Sequence, residues 1–241
     1  LRRQAFNEQL LQQLEAIDPN QLSASNLVTY KVFLYERRAE KESYLQAEYL
    51  YPLTNRSGWH LSFATAPAGM TFSRPGDYEA YLESLADFPR YNDEYIALLE
   101  ETISKGRTQL CTSMQGFELS ISAQLASRAE DSGFYRPFLN IPTSIHKAQR
   151  DDLQLRAKLL IEKAVIPAYA KLLEFYVADY APACRLQEGI SSTPGGEALY
   201  NYLLRYFTTT DMTPTEIHQL GLKEVSRIQA EMKDLIATTA F

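Results

Sequence analysis

Three histidines, two cysteines and one tryptophan are all that this 241-residue chain offers of the residues that most often build metal, nucleophile or stacking sites. His60, His146 and His218 stand far apart. A zinc site of the His-Glu-x-x-His type needs two histidines four residues apart on one helical face, with the glutamate as base. No such pair occurs. There is no Gly-x-Ser-x-Gly elbow, and "TPGGEALY" lacks the Lys-Ser/Thr of a phosphate loop. A basic block is missing too. The 24 Lys and Arg are scattered among 30 Asp and Glu, for a formal charge of −6, which disfavours non-specific nucleic-acid binding. No apolar run approaches the roughly 20 residues of a membrane span. No signal-peptide pattern stands at the start, where Leu1-Arg2-Arg3-Gln4 leads straight into helix-like sequence. Nothing alternates convincingly with period two, and there are no repeats.

What the chain does have is helical periodicity. "AFNEQLLQQLEAI" puts Phe6, Leu10, Leu14 and Ile17 on one stripe, broken by Asp18-Pro19-Asn20. Ser23 or Ser25 can cap a second helix running toward Leu45. Residues 51–76, rich in Pro, Gly, Ser and Thr, read as a long loop with a short strand at Leu61–Ala64. Loops of that length are often functional, and this one holds Trp59 and His60. Asp77 then caps "YEAYLESLADF", which Pro89 ends, and a separate helix carries Tyr91, Tyr95, Leu98 and Leu99 to a stop at Lys105-Gly106. "SMQGFELSISAQLASR" reads as a weaker helix, and "SGFYRPFLNIPTS" as a loop burying Phe134, Tyr135 and Phe138.

Residues 151–180 form the longest helix, with Leu153, Ala157, Leu160, Ala164, Ala168, Leu172 and Phe175 as its stripe. Pro167 should kink this helix, not end it. A Tyr-rich helix follows from Gly196 to Phe207. In "TTTDMTPTEIHQLGL", Thr213, Pro214 and Glu216 fit a capping box with proline at the first helical position. His218 is therefore better read as a half-exposed side chain at a helix start than as a ligand, and the helix continues through Ile217, Leu220, Val225, Ile228, Met232 and Leu235. The expected fold is all-α, a multi-helix orthogonal or bundle-like array with one long kinked helix and at most a minor strand pair. For Cys111 and Cys184 the residues alone leave two readings open, buried thiols in a cytosolic protein or a disulfide in an exported one.

"DYEAYLESLADFPRYNDEYIALLEETISKG", "FYRPFLNIPTSI", "VIPAYAKLLEFYVADYAPACR" and "TPGGEALYNYLLRYFTTTDMTPTEIHQLGLKEVSRIQAEM" occur in an order and spacing that resembles the bacterial domain-of-unknown-function family 885. The resemblance covers roughly residues 25–241. That family looks like a branch of the helical zinc metallopeptidases near the carboxypeptidase Taq group, more than twice as long as this chain. The resemblance implies a single helical region, 1–241, forming the N-terminal part of a metallopeptidase-like protein. It places the His-Glu-x-x-His helix and the zinc in a C-terminal half that this chain does not contain.

No catalytic residue, metal ligand or cofactor carries over onto any position here. The expected partners are that C-terminal half and a peptide substrate, with no nucleic acid and no transmembrane segment. The resemblance also implies a periplasmic or exported, lipid-anchored protein and favours a Cys111–Cys184 disulfide. The chain would wall one side of a substrate cleft, for which Trp59, His60, Tyr135, Arg136, Tyr200 and Tyr202 are the candidates. The face meeting the other half should be apolar or aromatic and exposed, drawn from the Trp59–His60 loop, Phe134–Phe138, Tyr200, Tyr202 and Tyr206. The competing reading is a non-enzymatic helical binding or scaffold module of an exported bacterial protein.

Overall fold

A computed structural model describes residues 2–239; Leu1, Ala240 and Phe241 lie outside the described residues. The fold is all-α, 74% helical, with no strand among the described residues. The only approach to sheet among them is two isolated bridges, Thr54 with Ser57 and Leu110 with Arg185. In chain order the helices are α1 (Arg2–Glu15), α2 (Ala24–Leu45), α3 (Trp59–Thr65), α4 (Pro75–Ser104), α5 (Glu118–Ser122), α6 (Arg136–Leu139), α7 (Lys147–Leu160), α8 (Ile166–Phe175), α9 (Gly196–Thr208) and α10 (Pro214–Thr238). The chain divides into two compact units, Tyr49–Glu188 on the one hand and Leu1–Glu48 with Gly189–Phe241 on the other.

The core of the Tyr49–Glu188 unit lies where α4 packs along α7 and α8. Helix α4 runs unbroken through Pro89, where the sequence predicted two helices. A proline inside a helix costs about 3 kcal/mol through its missing N–H and its ring. Here Leu82, Leu85, Phe88, Ile96 and Leu99 are all buried on the two sides of it. Each contributes about 1.5–3 kcal/mol, which outweighs the proline. The start of α4 also differs from expectation. Arg74 is the N-cap and Asp77 sits three residues in, its carboxylate accepting from the backbone N–H of Ser73 (2.9 Å) and Arg74 (2.8 Å).

The expected strand at Leu61–Ala64 is instead the middle of α3. Tertiary packing decides that segment, because Trp59 and His60 are both drawn into the core. "SMQGFELSISAQLASR" keeps only the five residues of α5 as helix.

The long helix is continuous over 34 residues and kinked. It consists of α7, a π-helical turn at Ile161–Val165, α8, and a second π turn at Tyr176–Tyr180. The first π turn immediately precedes Pro167. There the N–H of Ile166 reaches back five residues to the carbonyl of Ile161, so the wider turn accommodates the proline. The buried face is Leu153, Ala157, Ile161, Val165, Ala168, Tyr169, Leu172, Tyr176 and Tyr180. Leu160, Ala164 and Phe175, expected on it, are only half-buried; beyond Leu160, each π turn moves the face on by one residue. Beyond this helix, Cys184 is disulfide-bonded to Cys111. Backbone bonds from Cys111 to Arg185 (2.9 Å) and from Arg185 to Gln109 (3.0 Å) flank the bridge, and Thr108 Oγ1 donates to the Ala183 carbonyl (2.8 Å).

In the other unit α1 packs along α2, and α9 packs on α2. Ser23 caps α2. The inner face of α1 is Asn7, Leu11 and Leu14, whereas Phe6 and Ile17 are exposed. A polar pair sets that rotation. Asn7 Nδ2 donates to the Arg37 carbonyl and Arg37 donates to Asn7 Oδ1, both at 2.9 Å. Helix α9 begins at Gly196, a position with no room for a side chain, since a Cβ there would lie 1.8 Å from the Ile190 carbonyl oxygen. Helix α10 starts as the sequence predicts. The Glu216 N–H donates to Thr213 Oγ1 (3.2 Å), and the Thr213 N–H donates to the Glu216 carboxylate (2.8 Å). It carries no buried residue. No described helix is long and apolar enough to cross a membrane.

Candidate functional site

Trp59 and His60 open α3 and are both buried. Trp59 Nε1 donates to Asn92 Oδ1 (3.0 Å), its ring stacks on Tyr95 at 4.5 Å, and Asn92 Nδ2 passes on to the Ala168 carbonyl (3.1 Å). This bonded asparagine ties α3, α4 and α8 together, and a buried amide is tolerated because its polar atoms are satisfied.

Among the described residues, His60 and Ser120 form the one histidine–serine pair that could suggest a nucleophile, with Nε2 and Oγ 3.0 Å apart. The hydroxyl proton of Ser120 is already committed to the Phe117 carbonyl (2.7 Å), so Oγ accepts from Nε2–H and the histidine cannot act as its base. The pair is shut away from solvent on the histidine side, which is fully buried. Burial pushes His60 down to about 4, keeping the ring neutral. Its role is structural: the Tyr169 hydroxyl donates to the His60 carbonyl (2.7 Å), and the ring meets Phe117 edge-on.

His146 is spent on capping α7, its Nδ1 accepting from the Ala148 N–H (3.3 Å), and His218 is exposed on α10. No group of three or more His, Cys, Asp or Glu able to hold a metal occurs among the described residues. The donor set present does not fit a zinc ion.

The remaining cleft candidates are divided between the two units. Tyr135 is buried in the Tyr49–Glu188 unit, and Arg136 beside it is exposed. Phe134 and Phe138 are buried with Tyr135 as expected, but the segment expected to be a loop is a 3-10 turn running into α6, and its buried rings do not form an exposed interface. The other unit holds Tyr200, exposed, and Tyr202, whose hydroxyl donates to the Ala39 carbonyl (3.1 Å). Burial, and next the nearby Glu48, push the Tyr202 phenol up to about 12.

The structure therefore places the adjacent Trp59 and His60 inside a core. These aromatics are held there by the bonds their polar ends make, a pairing that sequence spacing does not show.

Two surface features lie largely outside the expected cleft residues. One is a groove of about 440 Å³ between α2 and α9, lined by Lys31, Tyr35, Arg38, Arg205, Tyr206 and Thr209 among others. The Tyr35 and Tyr206 rings lie parallel, 6.2 Å apart, and the Tyr35 hydroxyl donates to the Tyr206 carbonyl (3.1 Å). Thr209 adopts φ = 54°, a left-handed conformation that is costly for a β-branched residue. Lys31, Tyr35, Arg38 and Glu42, at steps of four, three and four on α2, were the available signal. The other is the outer face of α10. Leu220, Val225, Ile228, Met232 and Leu235 recur on it at helical spacing, and every one is 45% or more exposed. Of the aromatic segments expected to supply exposed surface, Tyr200 is exposed, whereas Trp59, Phe134, Tyr135, Phe138 and Tyr202 are buried.

The whole chain, residues 1–241, matches the family described as "Bacterial protein of unknown function (DUF885)". The chain belongs to the DUF885 family. No curated protein matches this DUF885 chain. Among solved structures it is similar to the "putative lipoprotein from Colwellia psychrerythraea", with a TM-score of 0.62 and 20% identity. The alignment covers 70% of the DUF885 chain and 29% of the Colwellia protein, so the match spans under a third of that protein's length. At this identity the likeness shows the fold alone.

Proposed function

We propose that this DUF885 chain is the N-terminal helical cleft-wall region of a zinc-dependent, carboxypeptidase-like hydrolase, without catalytic activity of its own. The observation that carries this reading is the outer face of α10. Five large apolar side chains stand in water there on a helix that buries none of its residues. Burying a side chain of that size contributes about 1.5–3 kcal/mol, so an exposed row of them fits a helix that packs against further polypeptide. The match to under a third of the Colwellia protein's length agrees with this. Zinc and catalytic base would come from outside the chain, because the donor set present does not fit the metal. The disulfide supports export, since such bonds persist in oxidising compartments, and the name of the Colwellia protein supports a lipid anchor.

A second reading, a non-enzymatic scaffold or binding module, is favoured by the burial of Trp59, His60, Tyr135 and Tyr202, which leaves little aromatic surface for a cleft. Metal analysis and peptide hydrolysis, run side by side on this chain and on the longest polypeptide its gene encodes, separate the two readings. We expect stoichiometric zinc and cleavage from the longer polypeptide alone, with cleavage weakened by Ile228→Asp. A longer polypeptide that holds no zinc and cleaves nothing would leave the scaffold reading.

A further inference from the structure

The "NIPTSIHKAQR" stretch, which joins α6 to α7, frames a cavity of about 530 Å³ within the Tyr49–Glu188 unit. Arg150 lines it, and like Arg37 it carries a shielded Nε. Its Nε is shielded from solvent and has no hydrogen-bond partner, and the guanidinium has no ion pair among the described residues. A guanidinium stays charged at any ordinary pH, and a shielded donor without an acceptor is a costly group that native structures rarely leave unmatched. The other charges at the cavity cancel: Lys147 Nζ lies 2.6 Å from an Asp151 carboxylate oxygen. One positive charge is left over, and it belongs to Arg150. Asn140 and Thr143 add hydrogen-bonding groups at the rim, and Ile141 and Pro142 add apolar wall.

We propose that this cavity binds a small organic carboxylate, its anionic end on the Arg150 guanidinium and its short hydrocarbon body against Ile141 and Pro142. The planar guanidinium fork matches a carboxylate geometrically. The single uncompensated charge suits a monoanion better than the dianion of inorganic phosphate. The proposal does not depend on the peptidase reading.

Isothermal titration calorimetry of the full chain with butyrate, at constant ionic strength held with chloride, tests it. Inorganic phosphate serves as the comparison. One saturable butyrate site is expected, with phosphate weaker. Arg150→Met should weaken butyrate at least roughly tenfold, and Arg150→Lys less. Lys147→Gln, at an exposed position, leaves Asp151 uncompensated and should weaken binding several-fold; it serves as the second variant if Arg150→Met does not fold. Absence of a saturable butyrate site in the wild type would overturn the proposal. So would phosphate binding tighter than butyrate, or binding left unchanged by Arg150→Met or, where that variant does not fold, by Lys147→Gln.

Discussion

Opening the Cys111–Cys184 bridge should cost the Tyr49–Glu188 unit a large part of its stability. The two cysteines are 73 residues apart, so the bond closes about half of that unit into one loop. The loop-closure relation gives about 15 cal/mol/K of denatured-chain entropy for such a separation, about 4.4 kcal/mol at 25 °C. For a protein of this size each kcal/mol moves Tm by roughly 2–4 °C, so a fall of about 9–18 °C is expected. The flanking backbone bonds at Gln109, Cys111 and Arg185 remain in the reduced protein, which should therefore still fold. Trp59 reports the transition directly, being the chain's single tryptophan and buried in the same unit. The assay is urea unfolding followed by its fluorescence, on oxidised and reduced protein and on the Cys111→Ala/Cys184→Ala variant. A midpoint that stays put while both thiols titrate as free would refute the reasoning, because the bond would then be constraining nothing that unfolding releases. Two free thiols in the unreduced, denatured protein would remove the bond itself.

Gly196→Ala should destabilise by about 1–3 kcal/mol or more, since its Cβ meets a backbone carbonyl that cannot swing aside, while Gly221→Ala, in open space inside α10, should stabilise by about 0.5–1 kcal/mol; thermal melts of both variants check the pair. His60 is held at about 4 in the fold, below its ordinary 6.5, so the unfolded chain binds more protons between those values, and stability is full above pH 6.5 and falls as pH drops toward 4, by up to about 3 kcal/mol. Denaturant titrations at pH 7.5 and 4.5 should show that loss in the wild type and a smaller one in His60→Gln. Thr213→Ala removes the cap of α10 and should cost about 1 kcal/mol of helix stability, read as fraying by hydrogen exchange over residues 214–218.

Helix class was legible wherever the chemistry is local. The cap at Ser23, the Thr213–Glu216 box and the span of α9 all depend on residues within a turn of one another. What escaped depends on distant partners. Pro89 looked like a terminus because the face that overrides it is completed by α7 and α8. Leu61–Ala64 looked strand-like because the pull on Trp59 and His60 comes from Asn92, Ser120 and Tyr169. Phe6 looked buried because a hydrophobicity count ignores Asn7, whose bonds with Arg37 turn α1. The same limit applies to the candidate site. Scarcity of histidine and the absence of a zinc motif were readable, whereas which aromatics face solvent was not, since that depends on where each polar tip finds its partner.

The two π turns have a consequence for how the long helix can change. Leu153 and Tyr180, 27 residues apart, both face the core. A regular α-helix rotates about 100° per residue, so about seven and a half turns would leave them on opposite sides. Each π turn takes up one residue without advancing the rotation, and together they return about 200° of phase. The ends of the helix are therefore in phase only because both widenings are present. Deleting one residue from Ile161–Val165 would close the first of them into a regular turn and leave Tyr169, Leu172, Tyr176 and Tyr180 facing the core, whereas deleting one from the regular turns of α7 would rotate all four by about 100°. The two π turns are therefore the places where this helix can lose a residue without moving its buried face, and a change of length anywhere else must be matched by an opposite one.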